Sequence, residues 1–265
     1  MCRLFGLVAN KKVNVEFSFL KADLAFKELG SSNPDGWGIG YYENGNPKIF
    51  KEPNSIEKSL KLNDITKQKI SNIFVSHVRK SSGTAINYEN THPFGYEKWI
   101  FVHNGTIDIK NQMKEQLLPK YAKLLKGKTD SEIFFYLIIQ SFEQNMDILE
   151  GIKGTISFIK DNKGINTTSL NFLLTNGEKI YALRMAFKRE DNYSLFYLNR
   201  DPEKFNKLNY TSKETKLSIR SKSLSNEKAI IICSEQLTSG EEWILIPNGS
   251  VVIVDNNLEI SEKKI

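Results

Sequence analysis

Cysteine is scarce in this chain of 265 residues, which has Cys2 and Cys233 and no others. Two thiols are too few for a disulfide scaffold and their spacing fits no metal-ligand pattern, so both are expected to be reduced. Histidine is nearly as sparse. His77, His92 and His103 are too scattered for a zinc motif, so neither a metal nor a cofactor is expected. Nowhere do eighteen apolar residues run together, and the N-terminus lacks a basic segment leading into an apolar run and a cleavage site. The expectation is a soluble, cytoplasmic protein with no membrane partner. Pro/Gly/Ser-rich breaks are missing too, so one domain over 1–265 is expected, and a 40% hydrophobic content suffices for its core. Acidic residues are outnumbered, 31 against 37 Lys and Arg, for a net charge of +6. The excess is lysine spread thinly, as at Lys11-Lys12 and Lys67 to Lys69. It reads as solvated surface rather than as a nucleic-acid footprint.

What is present reads as many short strands and a few helices. Arg3 to Ala9 is an apolar run that predicts a buried strand beginning just after Cys2. Phe19 to Leu29, stopped by Gly30, predicts an amphipathic helix. Gly36 to Tyr42 and Pro47 to Phe50 predict a hairpin. Ile73 to Val78 and Trp99 to Val102 predict two strands ending in polar residues, with a long functional loop, Lys80 to Glu97, between them. A lysine-rich helical stretch is expected near Gln112 to Leu125. Thr129 to Phe142 carries a capping box and an apolar body, and Met146 to Lys160 is a weaker helix interrupted by Gly151 and Gly154. Strands are predicted at Asn171 to Thr175, Lys179 to Arg184, Ser194 to Leu198, Ala229 to Cys233 and Ser250 to Val254. Short turns between strands predict an α+β fold of antiparallel sheets with helices packed outside.

Removal of Met1 would leave Cys2 as the first residue, with a free α-amine. An α-amine titrates at about 7.7–8.0 and can act as general base to its own thiol. Taken alone, Cys2 reads better as a small buried thiol near a chain end. In HNGTI, from His103, Asn104 offers an amide donor and Gly105 a backbone N–H suited to an oxyanion, although an Asn-Gly turn explains the pair as well. Arg79 stands where a strand ends and can fork onto a carboxylate or sit in a surface ion pair. Asp130 can receive an ammonium or complement a helix dipole. Trp37 reads as core.

The motifs MCRLFG, NPDGWGIGYY from Asn33, SHVRKSSG from Ser76, NTHPF from Asn90, HNGTI and TDSE from Thr129 occur in one order. Together with SEQLTSGEEW from Ser234 and the following IPNGS, they resemble the stand-alone, YafJ-like branch of the class II glutamine amidotransferases. That branch is similar to the amidohydrolases of ergothioneine synthesis and glutathione breakdown. The resemblance implies a four-layer αββα N-terminal-nucleophile hydrolase fold with two stacked antiparallel sheets. It implies that Cys2, freed of Met1, attacks the γ-amide of glutamine, forms a γ-glutamyl thioester and releases ammonia. It also implies that Asn104 and Gly105 form the oxyanion hole, that Arg79 holds the substrate α-carboxylate, and that Asp130 with the Gly105 carbonyl receives the α-ammonium. The three histidines then read as supports for the site loops. Where synthase-fused members have tryptophan, alanine and threonine after the arginine, this chain has Lys80, Ser81 and Ser82. The alternatives are another γ-glutamyl amide or peptide as substrate, or a non-catalytic binding protein of the same fold. No synthase domain accompanies the motifs, so either a separate synthase or acceptor subunit takes the ammonia, or hydrolysis is itself the reaction.

Overall fold

The computed structural model describes residues 1–201, 210–211, 218–219 and 227–265. Its strands are β1 Arg3–Val13, β2 Trp37–Glu43, β3 Asn46–Glu52, β4 Ser71–Val78, β5 Phe94–Tyr96, β6 Trp99–Asn104, β7 Asn171–Thr175 and β8 Lys179–Arg184. They continue as β9 Phe196–Arg200, β10 Tyr210–Thr211, β11 Ser218–Ile219, β12 Ala229–Cys233, β13 Trp243–Leu245, β14 Ser250–Asp255 and β15 Ile260–Lys264. One sheet has seven strands in the order β13-β9-β12-β1-β4-β2-β3, and the other six in the order β15-β14-β8-β7-β6-β5. Every pairing in both is antiparallel.

Side-chain alternation along the strands builds three apolar layers. Leu4 and Val8 of β1, Ile73 and Val75 of β4, and Ile100 and Val102 of β6 meet between the sheets. The opposite faces of the same strands point outward. Phe101, Phe172 and Leu183 of the six-stranded sheet pack under α4 (Asp130–Asn145) and α5 (Ile148–Asn162). Phe5, Leu7, Trp37 and Phe74 of the seven-stranded sheet are covered more thinly. That cover is a π-helical turn at Phe17–Lys21, a 3-10 turn at Phe26–Gly30 and the short helix Leu62–Gln68. Trp37 is fully buried in that layer, as its sequence context predicts.

The helix predicted over Phe19 to Leu29 is therefore two separate turns. The chain is extended at Ala22, and the Leu24 N–H donates to the Leu237 carbonyl (3.0 Å) rather than to a helical one. The stretch near Gln112 to Leu125 is likewise two short helices, Lys110–Glu115 and Pro119–Ala122, divided where the Leu118 N–H is taken by the Gln140 side chain (2.7 Å). Thr129 caps α4 through the Glu132 N–H (3.1 Å). Glu132 does not close the box. Its carboxylate accepts from Lys126 N (3.0 Å) and Gly127 N (2.8 Å), bracing the loop before the helix. α5 is a full helix, and its Gly151 lies against the Phe142 backbone, so the residue that weakens the helix lets it approach α4. No helix among the described residues is long and apolar enough to cross a membrane.

Candidate active site

Two strand ends meet where β1 starts and β4 stops. Arg3 pairs with Val78, so Cys2 lies beside Arg79. The Cys2 Sγ receives the Lys80 backbone N–H at 3.2 Å and lies 3.4 Å from the Lys80 carbonyl, to which the thiol donates. Burial pushes the thiol pKa up, while the Lys80 N–H, the N-terminal ammonium, Arg79 and Arg3 pull it back.

β6 brings the second set of groups to the same end. Tyr42 fixes that alignment, because its hydroxyl donates across the sheets to the carbonyls of Lys98 (2.7 Å) and Thr175 (3.1 Å), at the far ends of β4 and β6. Asn104 closes β6 on the face shared with Ile100 and Val102, turned toward the seven-stranded sheet. It is buried, yet its side-chain amide hydrogen-bonds to no described residue. Gly105 follows, and a Cβ there would run into the Ser169 carbonyl, with the His103 Nε2 at 2.9 Å. Its φ is not in the left-handed region. The glycine therefore serves close backbone approach to the Ser169 carbonyl.

Arg79 is only 4% exposed, which removes the surface-pair alternative. Its Nη1 donates to the Asp35 carbonyl (3.2 Å), and its Nη2 to Ser81 Oγ (3.2 Å), Thr84 Oγ1 (2.6 Å) and the Thr84 carbonyl (3.4 Å). None of these partners carries a charge. The nearby Asp35 carboxylate instead accepts the Ser81 N–H (2.8 Å). Burial lowers the Arg79 pKa, with Cys2 and Asp35 opposing. Asp130 opens α4, and its carboxylate accepts Ile107 N (2.6 Å) and Ser131 N (3.0 Å), tying the loop after Gly105 to the helix.

The histidines lie behind these groups. His103 Nε2 faces the Ser169 carbonyl (3.3 Å) and Nδ1 the Ser131 hydroxyl (2.9 Å). A carbonyl can only accept, so Nε2 carries the proton and Nδ1 accepts from Ser131. His77 and His92 stack with ring centroids 4.2 Å apart, and none of their four ring nitrogens meets a hydrogen-bond partner of good geometry among the described residues. Burial, then Arg79 and His103, push His77 down to about 3, and burial first of all holds His92 and His103 low as well. All three are neutral near pH 7. Among the described residues no cluster of three or more His, Cys, Asp or Glu side chains is arranged to hold a metal.

Sequence reasoning missed the Lys80 backbone contact, which no side-chain motif can signal, and the contact of Arg3 with Glu235 (2.7 Å). Both partners of that pair lie inside motifs that carried the resemblance.

The pattern of class II glutamine amidotransferases matches residues 1–262. An uncharacterised protein of Methanocaldococcus jannaschii is 30% identical over 100% of this chain and 72% of its own. The putative glutamine amidotransferase YafJ of Escherichia coli is 26% identical over 94% of this chain and 95% of its own. Among solved structures, the glutamine phosphoribosylpyrophosphate amidotransferase of B. subtilis superposes with a TM-score of 0.66 at 16% identity, over 99% of this chain and 49% of that one. That likeness shows a shared fold of two stacked antiparallel sheets with helices outside. The chain belongs to the class II glutamine amidotransferases.

Proposed function

We propose that this chain is an amidohydrolase in which Cys2, freed of Met1, splits the side-chain amide of glutamine. The observation that carries the reading is a buried cation whose direct hydrogen-bond partners among the described residues are all neutral, the Asp35 carboxylate acting on it without an ion-pair contact. Arg79 sits beside the Cys2 thiol with only neutral oxygens on its guanidinium. A buried guanidinium of that kind suits a substrate carboxylate, which would take both fork donors.

The reaction follows from the surrounding donors. The thiolate attacks the amide carbon, and the new C–S bond pushes the carbonyl electrons onto oxygen. Asn104, whose amide meets no partner among the described residues, and the Gly105 N–H hold that oxyanion. The proton lost by the thiol passes through the α-amine of residue 2 to the departing nitrogen, so the C–N bond breaks and ammonia leaves. Water then adds to the γ-glutamyl thioester, and glutamate departs as the thiol is restored. Asp130, with the Gly105 carbonyl, receives the substrate α-ammonium.

Glutaminase assays on wild type and Cys2→Ala test the reading, with intact mass to read the first residue. Ammonia release by wild type and its loss in Cys2→Ala are expected. Unchanged release in Cys2→Ala, or retention of Met1 by an active enzyme, overturns it and favours a non-catalytic binding protein or another nucleophile. A second substrate has its own support. Lys80 is exposed directly beside the thiol, and its cation suits a leaving group with a carboxylate, as in a γ-glutamyl peptide. Faster turnover of such a peptide than of glutamine, lost in Lys80→Gln, would assign it. A separate synthase subunit as ammonia acceptor would show as ammonia incorporation that depends on that subunit.

A further inference from the structure

We propose that Arg3, anchored by Glu235, is a positioning residue that fixes the backbone of residue 2 and keeps its α-amine, once Met1 is removed, in the neutral, basic form. The inference rests on the reading of Cys2 as an N-terminal nucleophile. One nitrogen, Arg3 Nη1, donates to two successive carbonyls, those of Met1 and Cys2, at 3.1 Å each. The Met1 carbonyl carbon is bonded to the Cys2 nitrogen, so amide bond lengths put Nη1 within about 5 Å of that nitrogen. On the other edge of the guanidinium, Nε lies 2.7 Å from Glu235 Oε1.

Glu235 is itself held in place. Its neighbour Ser234 accepts the Leu4 N–H on Oγ (3.0 Å) and donates its own N–H to the Leu4 carbonyl (3.1 Å). The C-terminal segment after β12 thus grips residues 2 to 4 through the backbone and through one ion pair.

Excision of Met1 would take away one of the two acceptors of Nη1 and leave an amine in its place, with the Cys2 carbonyl still held. A guanidinium at that range opposes a second positive charge and so favours the free amine, the form able to take the thiol proton. Around the terminus with Met1 in place the same signs hold. Burial lowers the α-ammonium most, the Cys2 thiolate opposes, and Arg3 and Lys80 lower it further. Glu235 acts against Arg3 while fixing it. The charged groups around the amine are thus the Cys2 thiol, Arg3 and Glu235, with Lys80 and Arg79 from the end of β4 and Asp35 behind Ser81.

Because the chain has only two cysteines, [15N]cysteine labelling yields two nitrogens, the Cys2 amine and the Cys233 amide. The amine resonance is followed against pH in full-length protein shown by intact mass to lack Met1. Arg3→Gln should lower the fraction of neutral amine at pH 6.5 by about three- to tenfold, the size of a unit charge at ~5 Å in a partly solvated site. Glu235→Gln, which keeps the shape of the side chain beside Arg3 and removes its charge, should raise it, and Arg3→Lys should return most of the loss. Opposite signs for Arg3→Gln and Glu235→Gln distinguish a charge effect from a structural anchor, whose loss moves both variants the same way. Shifts in one direction, or none, overturn the proposal. Loss of the nucleophile reading would appear separately, as glutamine turnover that survives Cys2→Ala, whereas the resonance answers for Arg3 in either event.

Discussion

The two sheets contribute differently to the candidate site. From the seven-stranded sheet come Cys2 and Arg79: a half-buried thiol held by the Lys80 backbone, and a buried guanidinium whose hydrogen-bond partners among the described residues are all neutral. From the six-stranded sheet come Asn104 and Gly105, with Asp130 on the helix that covers it, and there the supports are dense. Asp130 holds the Ile107 N–H, Ser131 holds His103, His103 faces Ser169, and Glu132 takes two N–H groups of the preceding loop. The outer layers follow the same division, long helices on the second sheet and short turns on the first. In the proposed reaction one wall offers the reacting groups, and the other fixes the geometry against which they act.

Breaking the rigid wall should have the largest effect. Gly105→Ala places a methyl against the Ser169 carbonyl and must push β6 away from the 169 segment, at a cost of about 1–3 kcal/mol. Turnover should fall by at least a hundredfold as the proposed oxyanion donors move, and thermal unfolding should drop with it. An active Gly105→Ala protein with unchanged Tm would mean that this wall is compliant. Breaking the reactive wall should separate the two readouts. Arg79→Ala should raise the glutamine KM about a hundredfold, in keeping with the loss of one partner of a buried charge pair. Its Tm should change little, because removing a buried charge that makes no direct ion pair also relieves its desolvation. Titration of KM and Tm together checks this, and a large loss of Tm with unchanged KM would assign Arg79 to structure.

This division also explains what could be read in the sequence. The strands that carry the site were legible because each is an apolar run ending in a polar group, as at Val78-Arg79 and Val102-His103. The antiparallel α+β class followed from the same pattern. Elements that depend on a distant partner were not legible. The periodicity of Phe19 to Leu29 suggests a helix, but Leu237, more than two hundred residues on, takes the Leu24 N–H. β15, with the sequence ISEKK, is an edge strand whose charged residues hide it from any hydrophobic period. In the site, Cys2, Arg79, Asn104, Gly105 and Asp130 came from motifs. The burial of Arg79 and the reason for Gly105 needed the contacts of the 81–84 and 169 segments, which no local spacing contains.

A smaller change probes how the rigid wall is braced. Ser131→Ala leaves His103 Nδ1 buried without a donor and should cost about 1–3 kcal/mol, seen as a lower denaturant midpoint. Ser131→Thr, which keeps a hydroxyl, should recover part of it.

The smallest effect is expected at Lys51, which ties β3 to the long loop between β4 and β5, the strand that interrupts the loop predicted over Lys80 to Glu97. Its ammonium donates to the Thr91 carbonyl (2.8 Å) and lies over the rings of Tyr88 (4.7 Å) and Phe94 (5.3 Å). Burial lowers its pKa from 10.5 to about 8, against the pull of Glu132 and Glu89. The folded chain therefore releases this proton near pH 8, while the unfolded chain keeps it until about 10.4. Between those values the unfolded state binds more protons, so this group makes stability rise with pH across that window and leaves it flat above and below. Lys51→Met should remove that rise, so Tm measured from pH 7.5 to 10.5 should climb less steeply in the variant than in wild type. Parallel slopes would mean that the ammonium is solvated and that the loop is held by the rings and the Thr91 backbone instead. The seven-stranded sheet would then lack a charged tie between its edge strand and the loop that holds Arg79.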